Sequence, residues 1–489
     1  MIARLKELLF QNRGMKQTIA KNVFWLSFSQ IGSRLIRAAI IIYAARVLGA
    51  AEYGVFSYAL GLSAFFTVFA DIGISQILTR EITQKPEEEH QYFSTAFWLK
   101  IAVLFFTTIL IIFVAPHFSK IEAAKNLIPI IALITIFDGL REFSLALFRA
   151  KEKMELEALV TILTNISITI FGFIILNFSA SAKSLTYSYA FSIFIGFAIG
   201  FFIAKNQFIK IFSHFQKKLI KKIFVAAYPI TLLTLLGSFM LNTDLIMLGW
   251  WRAPEEIGHY SAAQKIIQLL YTLPAILATS LFPIISRYAK NKEIDKTKLI
   301  MEKSLIIVFL IAIPVFIGGV ILANPIIQFI YGLQYLPAVS SLQILLFTQF
   351  LIFPQILLGN FILAHNQQKK LNFPALLGSI ANIIFNSLLI PAYGIVGSSI
   401  ATIIAQGINT SLNWRVAKKI SDISILKHLK KIITSAIIMG IFSFILNKFN
   451  INIIANIIIS TLIYLSALYL LKEKIITEIK ELFLKSKID

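Results

Sequence analysis

Apolar runs of roughly twenty residues recur along the whole chain, and no other feature limits the possible folds so strongly. Stretches such as FTTILIIFVA and IIVFLIAIPVFIGGVIL show no alternation of polar and apolar residues. A helical span needs about 20 apolar residues, whereas a barrel strand shows alternation over about ten. The pattern therefore predicts an all-α, polytopic membrane protein and excludes an outer-membrane barrel. Composition agrees, because 57% of the 489 residues are hydrophobic and only 14% are charged.

The apolar runs define fourteen transmembrane helices. They lie near 22–47, 54–79, 92–115, 127–148, 156–177, 184–204, 223–249, 257–285, 304–323, 340–364, 373–390, 394–414, 432–447 and 451–471. An even number of spans places both termini on the same side of the membrane.

The formal charge of +22 has to be interpreted through the distribution of basic residues. Of the 46 Lys and Arg residues, 35 fall in segments on the side of the N-terminus, five on the opposite side and six inside spans. This bias is the positive-inside rule, and it assigns both termini to the cytoplasm. The positive charge is therefore explained by the orientation of the chain in a cytoplasmic membrane and by contact with membrane lipids. It does not indicate nucleic-acid binding.

Cysteine is absent and the six His residues are scattered, so the sequence predicts no thiol chemistry and no metal site of the His or Cys type. The first segment, 1–21, is basic and amphipathic and lacks a small-residue cleavage site. It is expected to lie on the cytoplasmic membrane surface. The last segment, 472–489, is predicted to be a second amphipathic surface segment.

The sequence of one junction between spans occurs twice in the chain. ARVLGAAEYGVFSYA at 44–58 corresponds to RAPEEIGHYSAA at 252–263, with Glu52, Gly54 and Ser57 matched by Glu256, Gly258 and Ser261. Further on, Ala150 and Asn165 correspond to Ala364 and Asn382. Six spans separate the copies, so both have the same orientation, as in a parallel repeat about an axis along the membrane normal.

The repeat predicts the domain organisation. The expected parts are an N-terminal lobe of six helices at 22–204, an interfacial linker helix at 205–222, a C-terminal lobe of six helices at 223–414, and two further helices with their preceding loop at 415–471. The linker assignment rests on apolar residues at helical spacing among lysines.

The segment ARVLGAAEYGVFSYALGLSAFFTVFADIGISQILTREI resembles the N-terminal signature of the polysaccharide biosynthesis (Wzx-type) flippases. These belong to the multidrug/oligosaccharidyl-lipid/polysaccharide exporter superfamily. NTDLIMLGWWRAPEEIGHYSAAQKI, LFPIISRYAKNKE and ANPIIQFIYGLQYLPAVSSLQIL resemble blocks of the second lobe. The resemblance implies a fold like that of the multidrug (MATE) exporters, with two lobes around a central cavity, and export of a polyprenyl-diphosphate-linked oligosaccharide.

A cationic stripe crosses the first span. Ser27, Gln30, Arg34 and Arg37 fall within an arc of about 120°, and an arginine at mid-span costs roughly 2.5 to 3.5 kcal/mol on insertion scales. We interpret the stripe as the lining of a hydrated cavity, where guanidinium groups bind the diphosphate. The alternative is that carboxylates of neighbouring helices neutralise both arginines. Asp71 and Lys265 complete the predicted substrate-binding set.

Three charged residues inside spans receive individual interpretations. Asp71 could pair with an arginine of the stripe, carry a proton during transport, or fix helix packing through hydrogen bonds. Arg141 is expected to be satisfied locally by Asp138 and Glu142. Lys100, two turns into its span, is expected to reach the cytoplasmic headgroups by snorkelling.

A second set of polar residues predicts a cation site in the C-terminal lobe. Asn382 and Asn386 are four residues apart, as are Ser398 and Thr402, and Asp244 could supply a charge. Oxygen ligands of this kind suit Na⁺, and the spacing is similar to the sodium site of the lipid II flippase branch. That branch has a carboxylate where Asn386 stands. Ordinary hydrogen bonding between helices is the alternative.

The sequence predicts a transporter that is not an enzyme and holds no cofactor, with coupling to Na⁺ or H⁺ left open. The alternatives are a cation-coupled multidrug exporter, a lipid II flippase and a membrane glycan polymerase. A polymerase is disfavoured by short outer loops, and ATP hydrolysis by the absence of a glycine-rich phosphate loop. Glycan polymerases or other assembly proteins are the expected partners.

Overall fold

The structure, a computed structural model, describes residues 11–12, 14–209, 211–425 and 429–473 of an almost entirely helical chain. The chain divides into two compact units, Met1–Gly258 (unit 1) and His259–Asp489 (unit 2). The predicted surface segments at 1–21 and 472–489 fall largely outside the described residues. The predicted division into two six-helix lobes stays a prediction.

Unit 1 is built from long helices joined by short connections. They are α1 (Met15–Asp71), α2 (Ile74–Gln84), α3 (Glu89–Phe113), α4 (Glu122–Lys125), α5 (Ile128–Ala150), α6 (Met154–Phe178), α7 (Ala182–Phe208), α8 (Lys217–Trp251) and the start of α9 (Pro254–Leu270). Short 3₁₀ turns at Pro86–Glu88 and Ala115–Phe118 flank α3. Phe93 and Phe143 pack at the centre of a core that α2, α3 and α5 share.

Helix α1 folds back at Gly49, the one residue inside it with non-helical backbone, where φ is +73°. Ile40 and Leu185 come within 2.7 and 3.6 Å of the position a Cβ would take on Gly172. Phe56 packs edge to face on Tyr189. Residues 185 and 189 are about 6 Å apart along α7, whereas 40 and 56 would be about 24 Å apart on a straight helix. The two halves of α1 therefore lie side by side, as two predicted spans require.

The second half of α1 ends at a break in the middle of an apolar region. Ile72 and Gly73 separate Asp71 from α2, and both have positive φ, +38° and +75°. A Cβ on Gly73 would lie 3.1 Å from the carbonyl oxygen of Ala227, so α8 closes over the break. A discontinuous helix of this kind exposes backbone groups and redirects the chain, which is typical of sites in transporters.

The two copies of the repeated junction pack against each other within unit 1. A Cβ on Gly54 would lie 1.7 Å from the Pro254 carbonyl oxygen, and a Cβ on Gly258 would lie 2.0 Å from that of Ala50. Adding the repeat offset of 204 to residues 50 and 54 gives 254 and 258, so the two contacts are related by the repeat. Glycine is needed at both positions because the backbones touch.

The prediction of a continuous linker helix at 205–222 is wrong. Helix α7 ends at Phe208, the described residues between it and α8 form turns and irregular backbone, and α8 begins at Lys217. The backbone of this turn is held by α3, since Ser94 donates to the carbonyl oxygen of Ile211 and Thr95 Oγ1 accepts from the Gln216 amide. These tertiary hydrogen bonds replace those that a continuous helix would have made.

Unit 2 continues from α9 with a second set of helices. They are α10 (Thr272–Lys290), α11 (Ile294–Ile321), α12 (Ala323–Tyr331), α13 (Ala338–Leu346), α14 (Gln349–Ala364), α15 (Asn372–Ile420), α16 (Leu429–Lys448) and α17 (Ile453–Leu470), with 3₁₀ turns at Leu333–Tyr335 and Gln368–Leu371. Helix α15 contains a non-helical glycine, Gly394, with φ +57°. The core of unit 2 includes Leu305, Leu358 and Phe361, which are fully buried.

Ten helices of the described residues are long and apolar enough to cross a membrane, or eleven when α13 and α14, bent by 46°, count as one. Fourteen were predicted. The difference between eleven and fourteen spans arises at three places. The halves of α1 and of α15 are joined at glycine breaks within single helices, and α5 carries four charged residues, Asp138, Arg141, Glu142 and Arg149, which lower its apolarity.

Candidate functional site

The predicted cationic stripe is present on the first half of α1. Gln30, Arg34 and Arg37 are all exposed on the protein surface. At 100° per residue they occupy one side of the helix, and Arg34 and Arg37 lie one turn apart. Two like charges at this spacing repel each other, and an anion between them would relieve that repulsion.

The side chain of Arg37 is oriented by a neutral group. Its Nε donates a hydrogen bond to Asn165 Oδ1 on α6, at 2.9 Å. The amide of Asn165 is buried and donates in turn to the carbonyl oxygen of Thr161, at 2.8 Å. An amide oxygen positions the guanidinium without cancelling its charge, so Arg37 keeps its charge and its terminal nitrogens for another acceptor.

An apolar strip lies beside the stripe on the same half of α1. Phe24, Phe28, Ile31 and Leu35 are exposed, Leu35 to 60%. Arg34 and Leu35 are separated by about 100° around the helix. The exposed surface of this half-helix is therefore divided lengthwise into a cationic part and an apolar part, which matches a ligand with an anionic head and a hydrocarbon tail.

Asp71 is paired with a lysine and not with an arginine of the stripe. Lys100 Nζ and Ser75 Oγ each donate to Asp71 Oδ1, both at 2.5 Å. Lys100 is fully buried, so the predicted snorkelling to the headgroups is wrong. The reason is that a carboxylate within reach of the ammonium inside the protein replaces the headgroups as its counter-charge.

A chain of ion pairs continues from α5 to α6. Arg141 contacts Asp138 at 2.7 Å and Glu142 at 3.1 Å, as the local pairing predicted for it requires. Arg149 contacts Glu142 at 2.9 Å and Glu157 at 3.3 Å. These two arginines are therefore paired with carboxylates, whereas Arg37 is hydrogen-bonded to a neutral amide.

The Asp71 pair and the Glu142 pair meet at a cavity of about 200 Å³ in unit 1. Its lining residues are Ala64, Thr67, Val68, Asp71, Ile72, Gly73, Ser75, Gln76, Lys100, Gly139, Glu142, Arg149, Thr231 and Thr234. They come from both sides of the break between α1 and α2, and from α3, α5 and α8. The break therefore contributes directly to the wall of the cavity.

A family model described as "Polysaccharide biosynthesis protein" matches residues 19–289, which is more than half of the chain. The chain belongs to this family. A second model, described as MatE, matches residues 229–388. Together they agree with the predicted membership in the multidrug/oligosaccharidyl-lipid/polysaccharide exporter superfamily.

Relatives of this chain come from archaea and bacteria. It is 22% identical to the "Probable low-salt glycan biosynthesis flippase Agl15" of Haloferax volcanii, over 76% of this chain and 78% of the relative. It is 23% identical to the "Capsular polysaccharide biosynthesis protein CapF" of Staphylococcus aureus, over 79% of this chain and 96% of the relative.

Solved structures share the fold of this family member. A lipid II flippase, MurJ, in an inward closed conformation superimposes with a TM-score of 0.79 at 20% identity, covering 92% of this chain and 99% of the other. An inward-facing MATE multidrug transporter gives a TM-score of 0.61 at 13% identity, covering 86% and 99%. At these identities the likeness concerns the fold, an all-α polytopic transporter fold, as predicted.

The residues of the predicted cation site lie in both units of the family member. Asn382, Asn386, Ser398 and Thr402 are buried on α15 of unit 2, on the two sides of the Gly394 break. Thr402 is 3.4 Å from the Tyr260 hydroxyl. Asp244 is buried on α8 of unit 1. The grouping of all five residues stays a prediction.

Lys265, the remaining member of the predicted substrate set, lies on α9 in unit 2. It is half-buried, and its Nζ donates to Gln268 Oε1 at 3.4 Å. Its role in substrate binding stays a prediction, as does that of the stripe.

Most of the cavity in unit 1 is not recognisable from the sequence. The sequence predicts a headgroup contact for Lys100 and local pairing for Glu142, and it gives Gln76, Thr231 and Thr234 no role. A charged residue within an apolar helix was the available signal for Lys100. The threonines gave no such signal, because a threonine in a helix commonly donates to a carbonyl oxygen of its own helix. Thr231 does so to the carbonyl oxygen of Ala227.

Proposed function

We propose that this multi-pass membrane protein translocates a polyprenyl-diphosphate-linked oligosaccharide across the cytoplasmic membrane by alternating access, for the synthesis of a surface polysaccharide. It acts as a transporter and not as an enzyme. Both termini lie in the cytoplasm, as the excess of basic residues on that side supports. Other glycan-assembly proteins, such as a polymerase, would receive the product.

One observation carries the proposal, the lengthwise division of the exposed surface of α1. Arg34 and Arg37 present guanidinium groups beside Phe28, Ile31 and Leu35. Guanidinium groups bind diphosphate oxygens through paired hydrogen bonds, whereas the apolar strip suits a polyprenyl chain. A free sugar has no hydrocarbon chain for the apolar strip, and a simple lipid has no diphosphate for the guanidinium groups. The names of the relatives, a glycan biosynthesis flippase and a capsule biosynthesis protein, support the same substrate class.

The predicted cation site would supply the coupling. Asn382, Asn386, Ser398 and Thr402 are oxygen-bearing and buried, and they lie on the two sides of a helix break, a feature common in transporter cation sites. They fit Na⁺ as a hard cation with oxygen ligands. H⁺ coupling through a carboxylate such as Asp244 is the alternative.

A multidrug exporter is the second candidate function, and the MatE match over residues 229–388 favours it. Cationic drugs would need an acidic surface. The exposed surface of the first half of α1 carries arginines instead, so the anionic substrate has the better support. The lipid II flippase shares the fold, and lipid II also carries a diphosphate, so the same surface would serve it.

The test is charge reversal of the stripe. In a host that lacks its own flippase of this family, Arg34→Glu/Arg37→Glu should abolish surface glycan while the protein remains inserted and abundant. The matched control is Lys120→Glu/Lys183→Glu, which changes the net charge equally at two exposed positions outside the stripe. Normal surface glycan in the stripe variant would overturn the proposal. A glycan-elongation assay with the purified protein would separate a polymerase from a transporter.

A further inference from the structure

We propose that the cavity in unit 1 binds the first sugar of the lipid-linked glycan, the one attached to the diphosphate. The inference rests on the proposed function and adds a second subsite to it. The cavity is bounded by the break between α1 and α2 and is distinct from the stripe, which lies on the first half of α1.

The volume of the cavity limits the ligand to a single ring. At about 200 Å³ it lies below the 300 to 1,000 Å³ typical of pockets that enclose a drug-sized molecule. An oligosaccharide exceeds this space, whereas one monosaccharide is of the right size. The remaining sugars of the glycan would extend out of the cavity.

The charges of the lining favour a neutral, polyhydroxylated ligand over a second anion. Asp71 is compensated by Lys100 and Glu142 by Arg149, so the cavity as a whole has no excess charge. Sugar hydroxyls both donate and accept hydrogen bonds, and this lining offers partners of both kinds.

Several lining groups carry donors or acceptors suited to such hydroxyls. Lys100 and Ser75 both donate to Asp71 Oδ1, and Oδ2 is the other acceptor of the same carboxylate. Thr67 donates to the carbonyl oxygen of Ser63, which leaves its lone pairs as acceptors. Gln76 and Thr234 are exposed. Between these polar groups, Ala64, Val68 and Ile72 form an apolar wall against which the C–H face of a sugar ring can pack.

The depth of the cavity in the helix bundle matches the position of the diphosphate site. Arg34 precedes Gly49 by 15 residues, and Ala64 follows it by 15 residues. Since α1 folds back at Gly49, both lie about 22 Å from the turn. Asp71 lies about 10 Å further along the second half. A sugar in the cavity and a diphosphate at the stripe would thus lie at neighbouring depths along the same folded helix, which is compatible with a covalent link between them.

The experiment measures binding of four probes to the purified full chain in detergent. The probes are a short-chain polyprenyl diphosphate alone and the same lipid carrying one glucose, one N-acetylglucosamine or one galacturonic acid. At least one of the two probes with a neutral sugar should bind about tenfold more tightly than the bare diphosphate, and the galacturonic acid probe should not exceed it. The variant Gln76→Ala/Thr234→Val should lose this tenfold gain and retain affinity for the bare diphosphate within twofold. The variant leaves both ion pairs of the cavity intact.

Two further variants complete the design. Thr83→Val changes an exposed threonine of α2 outside the cavity and should retain the gain. Ala64→Leu fills the cavity without touching a polar group and should lose it. The proposal is overturned if no sugar increases affinity, or if the gain persists in both cavity variants. Failure of the proposed function has a different signature, because Arg34→Glu/Arg37→Glu would then leave binding of the bare diphosphate unchanged.

Discussion

Unit 1 holds two groups of cations inside its membrane region, and their surroundings are opposite. Arg34 and Arg37 of the stripe are exposed, and Arg37 is held by an amide oxygen. Lys100 and Arg141 are buried or nearly so, and carboxylates contact both at 2.5 to 2.7 Å. The same residue types thus serve in two ways within one helix bundle.

The comparison teaches which charges belong to the architecture and which are offered to a ligand. A buried cation without a counter-charge is strongly unfavourable, so a buried one must have its carboxylate nearby. An exposed cation is accessible to water and to an anionic ligand, and it does not depend on a buried counter-charge. Removal of partners should therefore affect stability at the buried group and binding at the exposed group.

The largest effect is expected where a buried ion pair is broken. Asp71→Asn leaves the ammonium of Lys100 buried without its counter-charge and should lower the free energy of unfolding by about 3 to 5 kcal/mol. Thermal unfolding of the purified protein would measure it. The control, Glu122→Gln, removes the partner of Lys125 in an exposed pair and should cost less than about 1 kcal/mol.

The double variant Asp71→Asn/Lys100→Met removes both charges. It should recover most of the stability that Asp71→Asn loses, because no charge remains buried. A double variant as unstable as the single one would show that the loss comes from packing and not from the charge.

An intermediate effect is expected at Glu81, beyond the membrane spans, where a buried acid meets exposed cations. Burial by itself would raise the pKa of Glu81, but hydrogen bonds from Arg80, Tyr92 and Lys222 outweigh it and lower the pKa to about 2. The carboxylate therefore stabilises the fold above the ordinary carboxyl pKa near 4.5. That stabilisation, at most about 3 kcal/mol, disappears as the pH falls from about 4.5 towards 2.

The measurement is the difference in thermal unfolding between the wild type and Glu81→Gln. It should be constant from pH 7 to pH 5 and should shrink as the pH is lowered further. A difference that is independent of pH would contradict the assignment, since the amide cannot titrate.

The smallest effect on stability is expected where the stripe meets α6. Asn165→Leu removes the acceptor of Arg37 and should cost about 1 kcal/mol, since the exposed guanidinium can be hydrated instead. It should also weaken binding of a polyprenyl diphosphate several-fold, because Arg37 is no longer held in place.

Asn177→Leu is the matched control for this prediction. Asn177 also lies on α6 and accepts a hydrogen bond from α1, but from the neutral Tyr43 hydroxyl at 2.8 Å. Its loss should cost a similar amount of stability and leave binding of the diphosphate unchanged. Equal binding losses in the two variants would indicate that helix packing, and not the orientation of Arg37, controls the affinity.

Pairs within one helix could be predicted from the sequence, and pairs between helices could not. Asp138 and Arg141 are three residues apart, so helical spacing alone brings them together. Asp71 and Lys100 are 29 residues apart on different helices, and their contact depends on how α1 and α3 pack. The predicted linker helix failed for a similar reason, because hydrogen bonds from α3 stabilise a turn there.

The sequence by itself determined the all-α membrane fold, the glycine junctions and the stripe, because hydropathy and helical periodicity are local properties of a chain in a bilayer. It also contained the family signature. Only the tertiary structure decided that Gly54 and Gly258 take part in repeat-related backbone contacts, that Lys100 meets Asp71, and that a cavity forms at the break after Asp71. These depend on the distances between helices, which no local pattern encodes.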